Sequence, residues 1–203
     1  IPRNVKGCWD LGSCGLGCPT NAKQSMLLTT LPAALDKGAR LFVQTRAERF
    51  DLDESRVVAL ECVGVNTDGT AAAGASTRIV AKHYVVAGGA INSPALLLRS
   101  QAPDPHRLLG KRTFLHPVVV MASTFDREVA PWSGAPQSIY CDRFLETGPI
   151  EGPIGYKLEV PPLHPVLFAS TLPGFGLPQS KTLADMARTH VLIALLRDGF
   201  NEP

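Results

Sequence analysis

Apolar positions in this chain recur first at a helical period and then at a period of two, and the changes of period mark out its elements. Residues 1–21 show no sustained period; they are rich in glycine and hold three of the five cysteines, which reads as a loop. From Ala22 a helical pattern takes over, with Met26, Leu27, Thr30, Leu31, Ala34 and Leu35 on one face and Gly38 as a stop. Pro32 has no amide hydrogen, so a break or a fresh first turn is expected there. "RLFVQTRAERF" at 40–50 reads as a short strand. Residues 56–66 alternate apolar with more polar positions and end at Asp68-Gly69, which predicts an antiparallel excursion with 77–83.

The run "YVVA" is wholly apolar and reads as a buried strand at 84–88, followed by a turn at Gly88-Gly89. Asn92 or Ser93 is then the expected cap of a helix whose first position is Pro94. Val118, Val119, Val120 and Met121 read as another strand. From about residue 119, proline and glycine separate short β-like runs, "SIYCDRF", "IGYKLEV" and "HVLIALL", which predicts a second unit built on an antiparallel sheet. The expected fold class is α+β: an α/β-type first part carrying the antiparallel excursion, then the antiparallel unit.

Composition narrows the functions this fold can serve. A chain of 203 residues has room for one or two domains, and 45% apolar with 19% charged residues is the balance of a globular protein rather than a disordered one. Twenty basic against eighteen acidic residues give +2, which argues against broad attraction to nucleic acid or to an anionic membrane. The longest apolar runs fall far short of the roughly 20 residues needed to span a bilayer, so no integral membrane segment is expected. Five cysteines do not read as a closed disulfide framework, which favours a reducing, cytoplasmic setting. The ends, "IPRNVK" and "LLRDGFNEP", both read as set by processing or truncation.

The candidate chemistry lies at the junction "VVAGGAINSPALLLRS", residues 85–100. A helix N-terminus presents unpaired N–H groups and partial positive charge, and glycines let a ligand approach the backbone closely. Ribose, phosphate or adenine suits such a place. The same junction also occurs in α/β proteins as plain architecture, with Ser93 and Pro94 serving only the helix start.

The wording of this junction resembles the second signature of the glucose-methanol-choline (GMC) family of flavin oxidoreductases. That pattern is G-A-x-x-S-P-x-L-L-x-x-S, met here by Gly89, Ala90, Ser93, Pro94, Leu96 or Leu97, and Ser100. Upstream, "AKQSMLLTTLPAALDKGARLFVQTRAERF" is similar to the family segment whose strand ends against the FAD adenine. Downstream, "LLGKRTFLHP" is similar to G-[KR]-N-L-x-x-H-P, with Arg112 and Thr113 departing from it. The resemblance implies FAD as cofactor. It puts the backbone of Ala47 against the adenine, makes Ala87, Gly88 and Gly89 the adenosine-side wall, and starts the helix behind that wall at Ser93 and Pro94. It implies that 1–118 is part of an FAD-binding domain lacking the N-terminal dinucleotide-binding βαβ, and 119–203 part of a substrate-binding domain.

By that resemblance the whole enzyme transfers a hydride from the carbon of a small-molecule alcohol to flavin, and its partner is the remainder of the same polypeptide. The alternative is a stand-alone, non-enzymatic α+β module that binds an adenine-containing ligand. "GSCGLGCP" has its glycines at the wrong offsets for a phosphate loop. The three cysteines, spaced C-x5-C-x3-C, lack the fourth ligand and the C-x2-C pairs of iron–sulfur or zinc sites, so no metal is expected. They resemble instead the Cys-rich loop of the family's long-chain-alcohol branch. His116 before Pro117 reads as a packing residue, and no catalytic residue is assigned within the chain.

Overall fold

The segment before residue 45 folds less regularly than its helical period suggests. In this computed structural model, which describes residues 2–111, 113–146, 148–149 and 152–198, helix α1 spans only Thr30–Asp36. Pro32 sets that limit. It falls in the first turn, where an N–H has no intrahelical acceptor anyway, and one turn further in it would break the ladder. Residues 26–29 are a turn, and Met26 and Leu27 of the expected apolar face are exposed. Arg112 lies outside the described residues.

Strands β1 (Thr45–Asp53), β2 (Arg56–Val65) and β3 (Ala71–Ile79) form an antiparallel meander in the order β1-β2-β3, so β1 begins later than the 40–50 reading and β3 pairs from Ala71 and ends at Ile79 rather than spanning 77–83. The β2–β3 turn closes where Asp68-Gly69 predicts it: Asp68 Oδ1 accepts the Thr70 N–H at 2.9 Å, and Gly69 N–H bonds the Asn66 carbonyl at 2.9 Å. Phe50, Ala59 and Cys62 are buried in this sheet, and burial pushes the Cys62 thiol up. The rings of Phe50 and Tyr84 meet edge to face at 5.6 Å. On the exposed side Arg78 bridges Asp51 and Glu61, and its hydrogen bond holds the Asp51 carboxyl below the usual carboxylate range.

The expected strand at 84–88 forms no strand in the structure, and Val85 is 90% exposed. A wholly apolar strand needs cover on both faces, and among the described residues neither a neighbouring strand nor a second layer supplies it. Helix α2 (Gly89–Arg99) begins earlier than its Asn92, Ser93 and Pro94 suggest, so these three lie inside the helix instead of at its start. The start is fixed by Gly89, whose φ of +82° is open to glycine at little cost and strained for other residues.

The Ser100 side chain joins α2 to β1. Its buried hydroxyl accepts the Phe50 N–H at 2.8 Å and donates to the Leu96 carbonyl at 2.6 Å. Leu96, the buried residue of α2, faces the sheet beside it.

A second unit combines the residues up to 38 with those from 115 onward, whereas 39–114 form the first. Its sheet holds β4 (Val118–Thr124), β5 (Tyr140–Cys141), β6 (Tyr156–Glu159) and β7 (Thr189–Leu196), antiparallel throughout, in the order β4-β7-β6-β5. The three β-like runs beyond 119 thus become three of its strands. Helices α3 (Pro165–Thr171) and α4 (Leu177–Ala184) lie between β6 and β7 in the chain. Leu163, Phe168, Met186 and Val191 form its core, with Trp132, Leu172 and Leu183 packed around them. The described fold is α+β.

Two outcomes are expected. Ser100→Ala leaves the buried Phe50 N–H without its acceptor, which costs about 1–3 kcal/mol and lowers the urea midpoint with little change in slope. Arg78→Ala lowers the thermal midpoint at neutral pH. Because the folded pKa of Asp51 is depressed, the ion pair stabilises above the unfolded carboxylate pKa of about 3.9 and is lost as the pH falls through the folded value. The gap between wild type and variant in a pH series of melts therefore closes in acid.

Candidate functional site

A cleft of about 600 Å³ opens in the 39–114 unit, lined by residues of β1, β2, the segment 85–88 and α2. That volume lies within the ~300–1,000 Å³ typical of small-molecule sites. Ala47, Ala87 and Gly88 all line it. Of the other residues named from sequence, Gly89 makes the left-handed turn into α2, and Ser93 and Pro94 are half-buried in the helix behind; these three are not on the wall.

The wall at Gly88 is thin by necessity. A Cβ there would lie 3.3 Å from the Asn92 Cβ and 3.4 Å from the Ser93 nitrogen and hydroxyl. Helix α2 starts at this point with Gly88 as its N-cap and no side chain capping its first N–H groups. Those donors carry the partial positive charge of the helix end. Phe50, Leu60 and Leu96 supply apolar surface, while Arg46, Glu48, Asn92 and Arg99 add polar groups.

Arg99 organises the β1 side of the cleft. Its Nε donates to the Glu48 carbonyl at 3.0 Å and its Nη2 to the Ala47 carbonyl at 3.4 Å. The strand register slips between Ala47 and Arg49, so the guanidinium holds the carbonyls of an irregular stretch. Arg46 pairs with Glu48 at 3.1 Å and reaches the Gly69 carbonyl at 3.4 Å. Sequence reading named none of these polar residues. The one signal available was a cation in the last turn of a helix, directly before the signature serine, where the helix dipole favours it.

A second cavity, of about 270 Å³, lies in the other unit against Trp132, Ile139, Val160 and His190. Among the described residues His190 is the only titratable group on its wall. Among the described residues no group of three or more His, Cys, Asp or Glu is placed to hold a metal ion, and no helix is long and apolar enough to cross a membrane. His116 lies in an exposed loop.

The chain belongs to the GMC oxidoreductase family, whose profile matches residues 1–118. It is 34% identical over 176 residues to a GMC-type oxidoreductase of Mycobacterium tuberculosis, covering 87% of this chain and 26% of that protein. It is 30% identical over 210 residues to the long-chain-alcohol oxidase FAO3 of Arabidopsis thaliana, covering 98% of this chain and 28% of that one. The 6'''-hydroxyparomomycin C oxidase of Streptomyces lividus is 31% identical over 141 residues, 65% of this chain and 23% of its own length. The chain thus spans about a quarter of the length of these curated relatives.

Removing the guanidinium by Arg99→Ala is expected to speed amide hydrogen exchange at the residues of β1 next to Ala47 and Glu48. The loss of global stability stays below about 1.5 kcal/mol, because both bonds are made by an exposed side chain. Exchange mapped by mass spectrometry beside a denaturant titration separates the two effects.

Proposed function

We propose that this chain forms the adenosine-facing wall of the FAD site in a flavin-dependent oxidoreductase that takes a hydride from the carbon of a small-molecule alcohol. The observation that carries the reading is the meeting of Ala47 with Ala87 and Gly88, which lie far from it in the sequence, on one cleft of about 600 Å³. Phe50, Leu60 and Leu96 give the apolar surface an adenine ring needs. Gly88 lets it approach the backbone, and the uncapped N–H groups at the start of α2 suit ribose or phosphate oxygens. FAD, when bound, supplies the two-electron acceptor for the hydride. The residues of this chain bind and orient its nucleotide end. Gly89 sets the turn, with Ser93 and Pro94 in the helix that backs it.

In this reading residues 1–118 are part of the FAD-binding domain and 119–203 part of the substrate-binding domain. The pyrophosphate loop and the base that takes the hydroxyl proton belong to the remainder of the polypeptide. Support for an alcohol donor comes from the long-chain-alcohol oxidases among the relatives.

The test uses the full-length protein. Gly88→Val projects a side chain onto Asn92 and Ser93 at the start of α2, where the cleft wall lies. It is expected to weaken FAD binding by about tenfold or more, equivalent to ~1.4 kcal/mol, with the circular dichroism spectrum unchanged. Anaerobic addition of a long-chain primary alcohol to the wild type is expected to bleach its flavin absorbance. Full flavin content in a folded Gly88→Val protein overturns the cofactor placement. A flavin that no primary or secondary alcohol bleaches overturns the donor.

A further inference from the structure

The N-terminal loop brings together three thiols that the cleft does not use. Cys8, Cys14 and Cys18 line one small pocket of about 20 Å³ with Trp9, Pro19 and Thr20, and none is in a disulfide. The sulfur of Cys8 is engaged by Asp10, accepting its N–H at 3.4 Å and donating to its carboxylate at 3.6 Å.

Cys18 stands in a different setting. Its sulfur accepts the Lys23 backbone N–H at 3.4 Å and lies 3.6 Å from the Thr20 hydroxyl. Donors aimed at a sulfur favour its thiolate, and these, the Lys23 N–H first, lower the thiol to about 7. Lys23 also reaches Cys14, donating from Nζ to its carbonyl at 3.2 Å. One residue therefore ties the Cys18 sulfur to the Cys14 backbone. Only three residues, Gly15-Leu16-Gly17, separate the two cysteines, and both line the same small pocket.

We propose that Cys18 is a thiol-oxidation site that reacts as thiolate with a hydroperoxide, with Cys14 as the resolving thiol. The Cys18 thiolate attacks the terminal peroxide oxygen. The O–O bond breaks as the S–O bond forms, and the leaving alkoxide or hydroxide takes a proton from solvent. Sulfur is oxidised by two electrons to the sulfenic acid, and the peroxide is reduced to an alcohol or water. The Cys14 sulfur then attacks the sulfenic sulfur, forming the disulfide; hydroxide leaves and, with the Cys14 proton, becomes water. In sum, two thiols and one hydroperoxide give one disulfide, one alcohol or water, and a further water. The disulfide withdraws the Cys18 sulfur from the Lys23 N–H.

The purified full-length protein is labelled with monobromobimane across a pH series, with Cys141, an exposed thiol elsewhere, as internal reference. Cys18 is expected to label with a midpoint near 7 and, at neutral pH, roughly tenfold faster than Cys141. One equivalent of hydrogen peroxide is expected to give a Cys14–Cys18 disulfide. All three cysteines share the tryptic peptide 7–23, so fragmentation assigns the pair. In Cys14→Ser the sulfenic acid persists and is trapped by dimedone. Thr20→Val keeps the thiols and raises the labelling midpoint of Cys18 while Cys141 is unmoved. Labelling of Cys18 no faster than Cys141, a peroxide-induced bond that excludes Cys18, or stoichiometric iron or zinc held by these sulfurs overturns the proposal.

Discussion

The cleft exists because one hydroxyl fastens a helix to a strand. Ser100 accepts from the Phe50 amide and donates to the Leu96 carbonyl, so the last turn of α2 and the middle of β1 share a single buried polar contact. A hydroxyl can do both at once, whereas an apolar side chain of the same size would strand the amide. Arg99, one residue earlier, adds a second attachment at the Ala47 and Glu48 carbonyls. Between them the two side chains hold the C-terminal end of α2 against β1.

The two sheets were largely legible because their signals are local: alternation through 56–65, the Asp68-Gly69 turn, and short β-like runs between prolines and glycines after 119. The 84–88 segment was misread for a reason that is not local. "YVVA" has the composition of a buried strand, but a strand also needs a neighbour to pair with, and composition does not reveal whether the chain provides one. The start of α2 was misplaced because Ser93-Pro94 imitates a cap and first turn, while the backbone of Gly89 had already turned. The family resemblance singled out small residues, and three of them, Ala47, Ala87 and Gly88, line the cleft. Arg46, Glu48 and Arg99 escaped notice because long polar side chains at a surface give no periodic signal, and the slip in β1 that brings them together appears only once the strands are paired.

Much apolar surface stays open. Val85 is almost fully exposed, all seven residues of β4 are exposed, and Leu41, Phe42 and Val43 face water just before β1. Continuous apolar patches of this kind mark surfaces that meet further protein. The chain covers about a quarter of its relatives' length. Val85 and Val86 also line the cleft of the 39–114 unit.

Attaching α2 to β1 through adjacent residues near the helix end also restricts how chain length can drift among homologues. One amino acid inserted between Gly89 and Arg99 turns everything after it by about 100° around the helix axis and swings both fasteners off the strand together. An insertion at the tip of the β2–β3 hairpin only lengthens a solvent-facing bend. Gaps and additions should therefore accumulate at 66–70, while the spacing from the paired glycines to the clasping serine stays constant.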